Sequence, residues 1–218
     1  MYTKLDIRAS SSDRVLVERR REHIARCATR AFVKKGYERT NVDEIARACG
    51  MSKGNLYNYV GSKEDILYLV IDRGLTDLTE TIEGLCDRLS NAAPADALRE
   101  FIKTYYQGVG EDPDFTVFTY QETKNLDLKA RRSVLEAAAR DVAACEALLR
   151  RGVELGEFHI GNITLMAHDI VVSGHMWAVR RWFLRSQCML EEYIREKTES
   201  ILKAILVEAP GAIGVSKA

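Results

Sequence analysis

The sequence predicts an all-α protein: a small helix-turn-helix head joined by one long helix to a larger helical domain, about nine helices in all. Three observations carry that expectation. Apolar residues recur at helical spacing without strand-like alternation, and only Pro94, Pro113 and Pro210 interrupt 218 residues, with most glycines between the periodic segments. The stretch Thr40 to Lys63 has the punctuation of two short helices meeting at a corner. Finally, charge is unevenly spread: Met1 to Asp65 holds 14 Lys and Arg against 9 Asp and Glu, or +5, and the remainder holds 18 against 23, or −5. A chain of zero formal charge is thus a basic head on an acidic body, which suits one end that approaches phosphates. The expected division is a mobile arm over 1–13, a head over 14–62, a larger domain over 63–210 and a flexible tail over 211–218.

The first helix is expected from about Asp13 to Lys35, with Ile24, Ala25, Ala28, Ala31 and Phe32 on one side and Gly36 ending it. Thr40 is expected to cap the next helix with Asp43 as its reciprocal partner, and Val42, Ile45 and Ala46 form its apolar face. Gly50 then supplies the left-handed turn, Met51 an apolar plug, and Ser52 the cap of the following helix. There Leu56 faces inward and leaves Lys53, Gly54, Asn55, Tyr57, Asn58 and Tyr59 free to meet a duplex.

Ser62 with Asp65 forms a further capping box, after which Ile66, Leu67, Val70, Ile71, Leu75, Leu78, Ile82 and Leu89 mark a single helix. Its roughly 27 residues span about 40 Å, enough to run from the head deep into the body. Pro94 opens a helix to about Val109. A short aromatic helix with Phe115, Phe118, Tyr120 and Gln121 follows, then one from about Asp127 to Leu155, one from about Asn162 to Ser186, and one from Met189 to Val207.

Cys27, Cys49, Cys86, Cys145 and Cys188 are scattered, with adjacent pairs at least 22 residues apart, so the spacing offers no zinc or redox motif; they read as reduced core thiols of a cytoplasmic protein. His168 and His175 lie about 10 Å apart along their helix, too far to share an ion. No metal, no other cofactor and no catalytic residue is expected, nor any membrane span or signal peptide.

The segment GYERTNVDEIARACGMSKGNLYNYVGSKEDIL resembles the N-terminal signature of the TetR family of bacterial transcriptional regulators, and the likeness covers about Arg21 to Ile71. The resemblance implies an all-helical homodimer whose heads bind a palindromic operator in double-stranded DNA and whose bodies hold a small-molecule effector. It implies that Thr40, Tyr57 and Lys63 contact phosphates, with Ser52, Lys53, Gly54, Asn55, Asn58 and Tyr59 in or beside the major groove. Asn55 stands where the family often has threonine, and Val60 where it usually has phenylalanine. Lys53 can donate to guanine and Asn55 or Asn58 can pair with adenine.

The helix from 162 to 186 carries two apolar stripes: Ile163, Met166, Ile170, Gly174 and Trp177, and Leu165, Val172, Met176, Val179 and Phe183. One neighbour cannot cover both, which points to sharing between the chain's own core and a second copy. With the stripe of the last helix, the expected dimer interface is Val172, Met176, Val179, Phe183, Tyr193, Ile194 and Ile201, and Gly174 allows close backbone approach. Since the family's cavity is lined by the middle helices, Tyr105, Phe118, Gln121, Glu122, His175, Trp177 and Arg181 are the candidate ligand contacts. The sequences YQETKNL and GHMWAVRRW look similar to regulators of fatty-acid or acyl-CoA metabolism, so a small apolar or acyl-type effector is expected, releasing a repressor from DNA. The alternatives are an activator or a ligand-independent DNA-binding protein, and, more remotely, an all-helical acyl-processing enzyme using His168, Asp169, His175 or Glu122.

Overall fold

The computed structural model describes residues 4–10 and 12–207. The described residues form α1 (Arg14–Lys35), α2 (Val42–Ala48), α3 (Lys53–Leu56), α4 (Lys63–Arg88), α5 (Pro94–Glu111), α6 (Pro113–Glu122), a 3₁₀ turn (Thr123–Asn125), α7 (Leu128–Glu154), α8 (Ile163–Val179), α9 (Arg181–Leu184) and α10 (Leu190–Ile205). One isolated bridge joins Phe158 to Leu206, and among the described residues there is no strand. The all-α expectation holds. The expected tail over 211–218 lies outside the described residues.

Local chemistry sets the ends. Asp13 caps α1 through Leu16 N–H at 3.0 Å, and Gly36, at φ 83°, ends it with its N–H on the Phe32 carbonyl. Ser62 and Asp65 exchange side-chain and backbone bonds in a complete capping box at the start of α4. The cap of α2 differs from expectation. Asn41, not Thr40, accepts from Glu44 N–H at 2.8 Å, because the Thr40 hydroxyl is already bonded to the Gly36 and Ala31 carbonyls at 2.9 and 3.3 Å.

Two apolar clusters organise the chain. The first joins α1, α2, α3 and the beginning of α4 to Phe118, Leu126, Ala130 and Val134; the second gathers α5, α8, α10 and the far part of α7. Ile66 to Ile71 are six consecutive buried residues. Burial on every face of a helix means that neighbours surround it, and here α4 passes between head and body. The Tyr68 hydroxyl accepts from Leu5 N–H at 2.8 Å and meets Asp72 and Ser133 at 3.1 Å, tying the N-terminal segment, α4 and α7 together.

Two further expectations are corrected. Residues 4–10, expected as part of a mobile arm, lie against the head: Ile7 is buried, its carbonyl accepts from Arg21, and Ser10 N–H donates to the Asn58 carbonyl. An apolar residue at position 7 and an arginine able to reach its carbonyl hold the segment down. The helix expected from 162 to 186 breaks at Arg180 into α8 and α9. There is no proline or glycine at the break; the turned segment is held by Arg181 on Asp114 of α6 at 2.5 Å and by Arg180 over the Trp182 ring.

Candidate DNA-binding face and ligand cavity

Gly50, at φ 65°, makes the corner between α2 and α3, and Met51 N–H returns to the Ala46 carbonyl at 2.9 Å. Ser52 then accepts from Asn55 N–H at 3.2 Å, and Leu56 is fully buried beneath. This fixes which side of α3 faces out. Ser52, Lys53, Gly54, Asn55, Tyr57 and Asn58 are exposed together, and open space surrounds Gly54 where a Cβ would stand. Lys53 pairs with Asp43 at 2.9 Å, both side chains about half exposed, so a duplex can compete for that ammonium at little cost.

The other three candidates stand differently. Thr40 is buried with its hydroxyl engaged, and Tyr59 is buried with its carbonyl accepting from Arg21 at 3.0 Å. Lys63 lies partly buried at the start of α4, its ammonium 4.1 Å from the centre of the Tyr37 ring. Tyr37 in turn donates to Glu64 at 2.8 Å, and burial foremost pushes its hydroxyl far above the usual phenol range.

In the body, α4, α5, α6, α7 and α8, with Thr29 of α1, line a partly open cavity of about 1220 Å³. Of the seven ligand candidates, Tyr105 and His175 line it and the other five do not. Phe118 belongs to the head-side core, Gln121 is exposed, and Glu122 accepts from Tyr37 N–H at 3.4 Å. Trp177 packs on Tyr193 with ring centres 5.5 Å apart, and Arg181 is paired with Asp114. The resemblance named these side chains only through the middle helices that carry them, which does not distinguish a packed core or the surface from a cavity wall.

A polar chain crosses the cavity wall. Thr79 donates to Asp141 at 2.7 Å; Tyr105, whose hydroxyl feels the Asp141 charge, meets His175 Nε2 at 2.8 Å; His175 Nδ1 meets the Tyr120 hydroxyl at 2.9 Å. Burial, opposed by its hydrogen bonds, pushes Asp141 up to about 6, and burial pulls His175 down to about 4. The imidazole is therefore neutral at pH 7, suited to donate through one nitrogen and accept through the other. Asp141 and Tyr120 were missed as site residues. Asp141 had a signal: an acid at the helical spacing of Val134, Ala137 and Cys145, all of them buried. The remaining charges on the lining are one arginine, Arg73, and four acids, Asp77, Glu111, Asp112 and Glu146.

Helix α6 faces both ways. Phe115, Thr116, Thr119 and Tyr120 wall the cavity, and Phe118 stacks on Phe32 of α1.

The dimer candidates also divide. Tyr193 and Ile194 are buried within the chain, Tyr193 donating to the Ser173 carbonyl at 2.6 Å, and Val172 lines the cavity. Ile201 packs partly buried on the second core. Val179 and Phe183 are exposed, and Met176 is partly so. Gly174 serves an approach inside the chain: a Cβ there would stand 2.8 Å from the Tyr106 ring.

His23 and Cys27 of α1 and Cys49 at the end of α2 form a cluster whose ligand atoms all lie within 4.8 Å of one another. Sequence spacing had offered no such group; the fold closes the distance between positions 27 and 49. No helix among the described residues is long and apolar enough to cross a membrane.

A capped recognition helix exposed on a basic head, with a cavity-bearing helical body behind it, defines a DNA-binding transcriptional regulator of the helix-turn-helix class. The chain belongs to the TetR family: residues 24–68 match bacterial regulatory proteins of the tetR family, and residues 91–186 match the tetracyclin repressor-like C-terminal domain. It is 30% identical to the HTH-type transcriptional regulator HbdR of Aromatoleum sp. (strain CIB), over 100% of this chain and 93% of that one. The TetR-family regulator PfmR of Thermus thermophilus superposes with a TM-score of 0.70 at 32% identity, covering 83% of this chain and 97% of that chain. The regulator FadR of Bacillus subtilis, solved in complex with stearoyl-CoA, superposes with a TM-score of 0.71 at 20% identity, covering 84% and 97%.

Proposed function

We propose that the protein is a cytoplasmic repressor, not an enzyme, which binds a palindromic operator as a homodimer and is released when a small, largely apolar molecule enters the body. The observation that carries this reading is the double role of α6, which forms part of the cavity wall and stacks on the DNA-binding head. A ligand that prefers the cavity with α6 displaced shifts the head through Phe118 and Phe32. A tenfold loss of operator affinity needs only about 1.4 kcal/mol of such coupling.

An acyl group is the favoured occupant. The cavity has room for a chain, and the Tyr105–His175–Tyr120 row, with three protons for two internal bonds, leaves one hydroxyl to donate to a carbonyl. FadR's bound stearoyl-CoA supports the class. Because the charged lining residues are mainly acidic, the phosphates of an acyl-CoA would remain outside. The exposed side of α8 and α9, with Leu165, Val179, Trp182 and Phe183, supports pairing with a second copy. Of the expected set, Val179, Phe183 and Met176 are the residues left available for it.

The test is a duplex selected from random sequence by the purified protein, followed by anisotropy titration with acyl-CoA thioesters of increasing chain length and with the matching free acids. Selection of an inverted repeat bound by two chains, and release by thioesters or acids of a preferred length, is the expected result. Selection of an asymmetric site bound by one chain, or affinity indifferent to every thioester and acid, would overturn the reading. A duplex that binds more tightly with thioester present would favour the activator alternative.

A further inference from the structure

We propose that His23, Cys27 and Cys49 form a binding site for a soft d10 cation, zinc or copper(I), inside the DNA-binding head. His23 and Cys27 lie one turn apart on α1, and Cys49 closes α2 immediately before Gly50. Two separate elements thus supply three donors. The Cys27 Sγ lies 3.8 Å from Nε2 and 4.0 Å from Nδ1 of His23, and all three ligand atoms fall within 4.8 Å of one another.

Metal bonds of about 2.3 Å to sulfur and about 2.0 Å to nitrogen, at tetrahedral angles, place donors roughly 3.6 to 3.8 Å apart. The cluster therefore needs a contraction of about an ångström at most. Two thiolates and one imidazole select soft ions over magnesium or calcium. They complete a trigonal copper(I) site as they stand, or a zinc site with water in the fourth position. His23 Nε2 donates to the Cys49 carbonyl at 3.0 Å, which fixes the tautomer and leaves the Nδ1 lone pair for the ion. Both cysteines bind as thiolates, so the cation must displace their protons and affinity rises with pH. The bound ion would tie α1 to the residue from which the turn toward α3 departs.

The experiment uses the reduced, chelator-treated full chain, with zinc(II) and copper(I) each offered in competition with a chromophoric chelator and magnesium(II) as control. The expected result is one zinc or copper(I) per chain. Cys27→Ser and Cys49→Ser should each weaken it by at least about a hundredfold, since even the loss of a group that only supports a ligand costs up to that much. Cys86→Ser, Cys145→Ser and Cys188→Ser should bind as the parent does. Cys27 is only partly buried, so Cys27→Ser carries the test if Cys49→Ser does not fold. Failure to retain either cation, equal retention by Cys27→Ser, or conversion to a Cys27–Cys49 disulfide with no cation bound would overturn the proposal.

Discussion

The ring of Phe118 in α6 stacks on the ring of Phe32 in α1, with centroids 6.2 Å apart and planes 15° apart. The two side chains come from opposite functional halves of the molecule, and both are buried. On the same helix, Phe115 one turn before it and Thr119 next to it wall the cavity. The contact therefore joins an element of the cavity wall to the head, as does Val70 of α4, which lines the cavity and lies in the head-side core.

Replacing Phe118 with alanine is expected to destabilise the fold by about 3–5 kcal/mol, the range for a buried phenylalanine. Phe118→Leu, which keeps part of the apolar volume, should cost clearly less than Phe118→Ala. Urea denaturation checks both. The leucine variant should still bind the selected duplex, yet respond less to a cavity ligand, which separates a coupling role from a purely structural one.

Gly74 in α4 has no room for a side chain, since a Cβ would stand 2.1 Å from the tip of the Phe115 ring. Gly74→Ala should destabilise by about 1–3 kcal/mol through overpacking. Adding Phe115→Leu should recover much of that loss in a denaturation double-mutant cycle. Additive losses would refute the steric account.

Asp141 and His175 should have opposing effects on stability as pH changes. Asp141 titrates near 3.8 unfolded and at about 6 folded, so its favourable contribution is full below 3.8 and lost as pH rises through 6. His175 titrates near 6.5 unfolded and at about 4 folded, so its contribution is full above 6.5 and lost as pH falls through 4. Each shift corresponds to about 3 kcal/mol at most. Relative to the parent, Asp141→Asn should gain stability as pH rises from 4 to 6, and His175→Gln should lose it over about 4 to 6.5. Parallel difference curves for the two variants would contradict the assignment.

Lys53→Ala should weaken binding to the selected duplex about 10- to 100-fold if the ammonium reads a base edge. If it instead neutralises a phosphate, the loss should be uniform across sequences, and the slope of log affinity against log salt should fall by about one. Asn55→Ala should relax specificity at one position of each half-site. Binding by the parent that does not weaken with salt would deny the basic head its role.

The head was legible because its determinants are local. Gly50, Ser52 and Leu56 act within a few residues of their partners, and capping and turn chemistry are properties of short segments. The fold class followed from periodicity for the same reason. What escaped depended on distant partners. Thr40 looked like a cap, but its hydroxyl is taken by carbonyls at the end of α1. Trp177 looked like a ligand contact, yet a tyrosine sixteen positions on covers it. The break at Arg180 depends on Asp114 of α6, and Cys27 meets Cys49 only through the packing of α1 on α2. Helical spacing identifies an inward face; tertiary packing decides whether that face meets core, cavity or another chain.

The most direct test of the coupling between cavity and head is operator affinity, measured by anisotropy with and without a saturating acyl-CoA, for the parent and for Phe118→Leu. The expected outcome is at least about a tenfold loss of affinity in the parent, about 1.4 kcal/mol, and a clearly smaller loss in the variant at equal thioester occupancy. Equal losses in the two proteins, with the thioester bound to both, would contradict transmission through the Phe118–Phe32 contact.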